Sequence, residues 1–349
     1  MVAIKGAFGA VNPSRADAMT RIAVGFSGGP TATEIVECVR LAEQLGYESA
    51  WVAEGHGGDQ FAILSGCAAA TSTIRLGTDI TSVFVRTVPT IAMAAMTVDD
   101  LSGGRFMLGV GSSHKVQVEP EHSVVYSKPL TRVRETVEAV RQLIATGSLN
   151  YQGQTFQIEQ FDLWFEPHRR EIPIYIAAVF PKMTALCGEI ADGIILTRST
   201  LETAATAREH IAEGAARAGR KPSDIEVTTL LPTAVADTLA AARDLIRPGL
   251  ALYAGFFPRY NQLVAAHGFG HEADAIATAW KSGDRRGAVA AVSDEMIDAT
   301  SIAGPPAYCR ERLQAYRESG VDLPIISPFA RGPGAKATFE AAIRACAPQ

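Results

Sequence analysis

The chain has 349 residues, of which 47% are hydrophobic, 20% charged and 7% aromatic, and 32 Lys+Arg against 37 Asp+Glu leave a formal net charge of −5. A chain of this length and ordinary globular composition buries a large core. Its mildly acidic balance argues against a nucleic-acid binder, which carries a basic patch or stripe, and no apolar run reaches the ~18 residues of a membrane span.

Residues 1–19 contain only Lys5 and Arg15 as cations and no continuous apolar stretch, so they read as an N-terminal extension and not as a secretory signal. A first strand is predicted over 21–26. Thr31 with Glu34 three residues on predicts a capping box, opening a helix that stops at Gly46. Its apolar positions Ile35, Cys38, Val39, Ala42 and Leu45 recur at three-four spacing. Strand, helix, strand and helix follow over 49–53, 59–72, 74–80 and 89–101, the last with Pro89 in its first turn. Further strands are predicted over 105–110, 173–178, 193–197, 225–231 and 321–326, and helices over 131–145 and 183–191. A β-hairpin is expected within 151–164.

Several of these strands are near-continuous apolar runs, as in parallel strands buried on both faces. Eight strands, most followed by a helix, predict an α/β fold of the closed (β/α)8 TIM-barrel type. A doubly wound dinucleotide-binding sheet would open with GxGxxG after its first strand, where this chain has Ser27-Gly-Gly-Pro30. One barrel domain is expected over 20–335, with a helical insertion over 236–304 and a C-terminal tail over 336–349. The five cysteines, Cys38, Cys67, Cys187, Cys309 and Cys346, are scattered without a CxxC pair and read as reduced core thiols of a cytoplasmic protein.

The active site of such a barrel lies at the carboxyl ends of its strands. The second strand runs into Glu54-Gly-His56, a carboxylate and an imidazole suited to proton transfer, or equally a solvated loop. The third ends in Gly77-Thr-Asp79-Ile80-Thr81, where small, polar and apolar residues alternate as at a bulge. The fourth runs through Gly109 and Gly111 to His114, Lys115 and Gln117. After the fifth come Ala177, Ala178, Val179, Phe180, Pro181 and Lys182, and after the sixth Thr197, Arg198, Ser199 and Thr200. A helix beginning near Pro181, with Lys182 and Arg198 close by, suits a phosphate, although caps and surface cations account for the same residues. His122, His168 and His210 stand alone. His267 and His271 are four apart, but Gly268 and Gly270 weaken a helix there, and no metal site is expected.

Taken in chain order, these stretches resemble a known superfamily. Glu54-Gly-His56, residues 75–80 (Arg-Leu-Gly-Thr-Asp-Ile), residues 101–111 (Leu-Ser-Gly-Gly-Arg-Phe-Met-Leu-Gly-Val-Gly) and residues 181–195 are similar to the bacterial luciferase-like proteins. Residues 128–135, 247–253 and 304–313 add to the match. The branch it resembles is the deazaflavin (coenzyme F420)-dependent oxidoreductases related to methylenetetrahydromethanopterin reductase. The resemblance covers roughly residues 20–330. It implies a (β/α)8 barrel with the cofactor across its mouth and a non-prolyl cis peptide at Asp79-Ile80, with Thr81 following, bracing the ring. It further implies Glu54 at the ring's polar edge and Gln117 at the cofactor's side chain. The backbone of 177–181, together with Thr197 to Ser199, would hold its phosphate.

Phe180 departs from the family pattern, which has Gly before the proline; a bulky residue there would narrow the phosphate pocket or oppose a left-handed backbone. Hydride transfer with His114 or His56 as proton partner is the expected chemistry. An alternative is an FMN-dependent monooxygenase with an apolar mouth of Phe84, Phe180, Phe256 and Phe257. A second is a non-catalytic barrel without cofactor, which a trans bond at Asp79-Ile80 and a plugged mouth would favour. A small-molecule substrate is expected, with Lys115, Arg198, Arg259 and Lys281 as candidate anion contacts. The superfamily resemblance also implies a homodimer or higher homo-oligomer, with the small residues around Ala94 and Ala95 as a contact.

Overall fold

In a computed structural model, residues 20–348 are described; the N-terminal extension expected over 1–19 lies outside them. Eight parallel strands among these residues close on themselves: β1 (Ala23–Phe26), β2 (Ser49–Val52), β3 (Arg75–Thr78), β5 (Phe106–Gly111), β8 (Ile174–Ala177), β9 (Gly193–Thr197), β10 (Glu226–Val235) and β12 (Leu323–Pro328), which returns to β1. This is the expected (β/α)8 barrel. Between the strands run α1 (Ala32–Gln44), α2 (Gln60–Ala70), α3 (Val88–Leu101), α4 (Lys115–His122), α5 (Pro129–Thr146), α6 (Pro181–Ile190) and α7 (Thr203–Ala218). The hairpin is β6 (Ser148–Gln152) against β7 (Gln157–Asp162). The Thr31/Glu34 capping box opens α1 as predicted.

The strands are apolar on both faces because two layers bury them. Inside, Trp51, Met107, Tyr175, Ile195, Leu230, Leu323 and Ile325 fill the lower barrel. Trp51 meets Tyr175 edge-on at 5.2 Å, and Gly77 is required beneath it, since a Cβ there would lie 2.4 Å from the indole. Outside, the helices seal a second, continuous apolar layer, in which Ala95 is buried and Ala94 half-buried. All five cysteines are buried free thiols. No helix among the described residues is long and apolar enough to cross a membrane.

The Leu-Ser-Gly-Gly-Arg-Phe turn at 101–106 is structural. Buried Asp99 accepts from Arg169 and from the Phe106 N–H, and Arg105 donates to the carbonyls of Ala68, Thr71 and Ile74. These charge-assisted bonds fix where α3 hands over to β5.

Three elements differ from the sequence expectation. The third strand breaks at residues 79–80 and resumes as β4 (Thr81–Ser82), paired with β5. Residues 335–345, expected largely as tail, form α14 (Ala335–Ala345). Phe339 stacks on Phe26 at 5.3 Å, with Ala342, Ile343 and Cys346 buried beside it. Their three-four spacing makes one apolar helix face. The seventh strand runs four residues beyond its predicted end, and its extension pairs with β11 (Ile302–Gly304).

The expected helical insertion hangs on that extension. It comprises α8 (Leu239–Phe256), α9 (Pro258–Ala266), α10 (Gly270–Lys281), α11 (Arg285–Ala290) and α12 (Asp294–Thr300), with a core of its own including Ile246, Leu250, Val264, Ile276, Met296 and Ile297. Arg243 and Arg247 tie α8 to Asp294 and Asp298. The chain then enters α13 (Pro306–Glu318) before β12. His267 caps the end of α9 and His271 lies in the first turn of α10, so the pair does not share a helix.

Candidate active site

Above the packed lower barrel a cavity of about 840 Å³ opens at the carboxyl ends of the strands, the position where barrels of this type work. Glu54, His56, Asp79, Ile80, His114, Gln117, Ala177, Ala178, Val179, Phe180, Pro181, Lys182, Thr197 and Arg198 all line it. Two candidates do not. The Thr81 hydroxyl is buried and accepts from Gln60 Nε2 at 2.9 Å, and Ser199 is turned inward onto Thr229 at 2.7 Å. Both side chains are engaged by neighbouring elements behind the wall.

Glu54 follows β2 and is fixed on both oxygens. Oε2 accepts the Ser82 N–H at 2.9 Å, and Oε1 receives Arg86 Nε at 2.5 Å. Arg86 also holds Asp59. Such a charge-matched carboxylate is an oriented acceptor. His56, with its side chain 75% exposed, meets Glu121 of α4 at 3.1 Å on the rim. His114 starts α4 and is enclosed by Phe257 and Tyr260, with ring centroids 4.6 and 4.8 Å away. Burial, and secondarily the nearby Arg259 charge, lower its imidazole to about 4. His114 is therefore neutral near pH 7.

The peptide bond at Asp79-Ile80 is trans, as is every other among the described residues, which corrects the isomer implied by the resemblance. The break is bridged by ladder bonds instead: the Asp79 N–H donates to the Val52 carbonyl at 2.9 Å, and the Glu54 N–H to the Ile80 carbonyl at 3.3 Å. The Asp79 carboxyl is 3% exposed, Oδ1 has no hydrogen-bond partner, and burial raises it to about 7.

At the other end of the cavity α6 begins at Pro181, which has no N–H; the Met183 and Thr184 N–H groups both donate to the Phe180 carbonyl, so the Lys182 N–H is the open donor of the first turn. Phe180 is extended there, at φ −126° and ψ 150°, a conformation open to any residue, so the missing glycine imposes no strain. Its ring forms part of the wall beneath Arg259, 5.2 Å away, and leaves the mouth open. Arg198 is buried, stacks on Tyr253 at 3.8 Å, and leaves Nε without an acceptor.

The insertion supplies the roof, and the sequence reading missed most of it. Tyr253, Phe257 and Tyr260 pack with Val116, Val179 and Phe180. Their spacing of four and three, continued from α8 across Pro258 into α9, is the signal that would have found them. Tyr126, Phe329 and Arg331 are further lining residues not singled out. Phe84, expected at the mouth, instead stacks on Tyr126 at 4.5 Å behind the wall. Lys115 pairs with Glu119 at 3.7 Å. Among the described residues no group of three or more His, Cys, Asp or Glu has the arrangement of a metal site.

Fold and cavity together define a barrel with a roofed, partly apolar cleft and a helix N-terminus at one end. The luciferase-like monooxygenase family matches residues 8–323, and the chain belongs to this family of oxidoreductases. It is 31% identical over 313 residues to a 5,10-methylenetetrahydromethanopterin reductase of Archaeoglobus fulgidus, covering 88% of this chain and 92% of that one. A reductase of the same name from Methanolobus tindarius is 28% identical over 301 residues, or 85% and 91% of the two chains. Among solved structures, the coenzyme F420-dependent tetrahydromethanopterin reductase of Methanopyrus kandleri superposes with a TM-score of 0.82 at 25% identity, over 93% of this chain and 97% of that one.

Proposed function

We propose that the protein is a coenzyme F420-dependent oxidoreductase that moves hydride between the deazaflavin and a small organic substrate, in the manner of the methylenetetrahydromethanopterin reductases it resembles. The cavity carries this reading. It is long enough to join the break after β3 to the start of α6, and the residues along it suit such a cofactor. Gly111 keeps the floor low, since a Cβ there would lie 2.8 Å from Ile80 Cγ2. The Lys182 N–H at the start of α6, with the Lys182 and Arg198 side chains on the same wall, suits a phosphate.

When bound, the deazaflavin supplies or accepts a hydride at carbon. The protein's part is to hold, shield and manage the proton. Glu54, immobilised by Arg86 and Ser82, would offer a fixed acceptor to the polar edge of the ring, and Gln117 would meet the cofactor's side chain. Phe180, Phe256 and Phe257 exclude water, and neutral His114 serves as a hydrogen-bonding group without charge.

Fluorescence titration of the purified apoprotein with F420 and with FMN tests the reading. Micromolar or tighter binding of F420, with FMN at least tenfold weaker, is expected. Preference for FMN would move the enzyme to oxygen chemistry. Binding of neither would leave a barrel without a redox cofactor.

A further inference from the structure

Among the acids of the cavity, Asp79 is the one left without a partner. Glu54 is matched by Arg86, and Glu121 meets His56 on the rim. Asp79 lines the cavity at the interruption between β3 and β4 and is 3% exposed, with no hydrogen bond to Oδ1 and no ion pair among the described residues. Its backbone cannot withdraw. The N–H is held by Val52, and the carbonyl lies so close to Gly109 that a Cβ there would sit 2.8 Å from it.

The ionisable groups around the same cavity include Tyr260 of α9, which senses the Asp79 charge, Arg259 beside it, Tyr253 of α8, Glu54 after β2, His114 after β5, Lys182 of α6, Arg198 after β9 and Arg331 after β12, besides His56, Glu121 and Tyr126. None compensates the carboxylate, since burial is the sole cause of its shift to about 7. A carboxyl so placed keeps its proton, because the ionised form is almost fully buried and has no cation beside it. The other proton candidates are less suited. His56 is on the exposed rim, and His114 has lost its proton well below neutrality.

We propose, resting on the hydride-transfer reading above, that Asp79 is the catalytic acid that delivers the proton accompanying the hydride to the substrate. In the reducing direction the hydride adds to the carbon of a C=N or C=O bond, and the π pair moves onto the nitrogen or oxygen. The Asp79 O–H bond breaks as the new N–H or O–H bond forms. The hydride carries two electrons out of the reduced deazaflavin, whose ring N–H proton is released to solvent, and Asp79, left as carboxylate, is reprotonated from solvent. The oxidising direction reverses each step. The substrate class is thus a small imine or carbonyl compound and its reduced partner.

The test uses the full-length enzyme and D79N. Carboxyl ¹³C NMR of the aspartate-labelled wild-type apoprotein should show one resonance titrating near 7 that is missing from D79N. F420 titration should give the two proteins dissociation constants within about threefold. Stopped-flow oxidation of reduced F420, with whichever of methylenetetrahydromethanopterin and acetone the wild type reduces faster, should slow at least ~100-fold in D79N. The pH dependence near 7 should vanish with it. A wild-type rate and pH profile in D79N, or an Asp79 resonance titrating near 4 in the wild type, overturns the assignment. Failure of the wild type to bind F420 overturns the hydride-transfer reading instead, while the NMR still reports on Asp79.

Discussion

Above pH 7 the folded protein holds a buried carboxylate that nothing balances, so Asp79→Asn should make the apoprotein more stable there. The sign follows from the two pKa values. Unfolded, Asp79 loses its proton near the ordinary 3.8; folded, it keeps it until about 7. Between these limits the unfolded chain binds fewer protons than the folded one, so stability falls as pH rises, by about 1.4 kcal/mol per pH unit. Over the interval that amounts to about 4 kcal/mol, a large part of a typical folding free energy. The asparagine variant lacks this dependence. Its advantage should grow from pH 4 to 7 and stay constant above, whereas any packing difference of the amide adds the same offset at every pH. Urea unfolding followed by circular dichroism at pH 5, 6, 7 and 8 measures the gap directly. A gap that is the same at pH 5 and pH 8 would refute the reasoning, because the carboxyl would then ionise alike in both states.

Phe339→Ala should cost about 3–5 kcal/mol in the same unfolding assay, since the ring is fully buried against Phe26; a loss below 1 kcal/mol would return residues 335–345 to the role of a tail. Arg86→Gln removes the cation that orients Glu54 and should weaken F420 binding about tenfold, or about 1.4 kcal/mol, with an unchanged far-UV spectrum. Arg198→Met replaces a buried guanidinium that has no counterion and an unsatisfied Nε by apolar volume, so apoprotein stability should hold or rise while F420 affinity drops at least tenfold. The His114 imidazole should titrate near 4 by ¹⁵N NMR. Because its folded pKa is depressed, its contribution should make stability rise with pH up to the ordinary 6.5. A midpoint at 6.5 would show the ring to be solvated.

The barrel was legible because its signals are local. Parallel strands buried on both faces must be apolar runs, as over 193–197, and helix starts such as Thr31 with Glu34 are written in adjacent residues. The cavity wall was legible for the same reason, since strand ends follow once the strands are placed. What escaped depends on contacts distant in sequence. The unpaired state of Asp79 requires knowing that no cation from another strand reaches it. The inward turn of Ser199 requires Thr229, thirty residues on. The roof of Tyr253, Phe257 and Tyr260 has a readable period, but only the fold shows that this face covers the cleft instead of joining the insertion's own core. Helix α14 has a readable apolar face in the spacing of Phe339, Ala342 and Ile343, but its packing on Phe26 is a contact between the two ends of the chain.

The placement of the unfavourable groups is itself informative. The lower barrel and the outer layer are closed apolar packings, and the larger charged networks, such as Arg21 with Glu48 and Glu226, are paired. Asp79 and Arg198, in contrast, are buried on the cavity wall without counterions, and the charge of each reaches Tyr260. A fold whose other local choices agree can carry such groups where a ligand supplies the missing partner. Asp79→Asn and Arg198→Met should accordingly trade function for stability. Each should raise or hold the unfolding free energy of the apoprotein at pH 8, while the first slows hydride transfer and the second loosens the cofactor. A variant that lost stability and activity together would mark its residue as part of the scaffold.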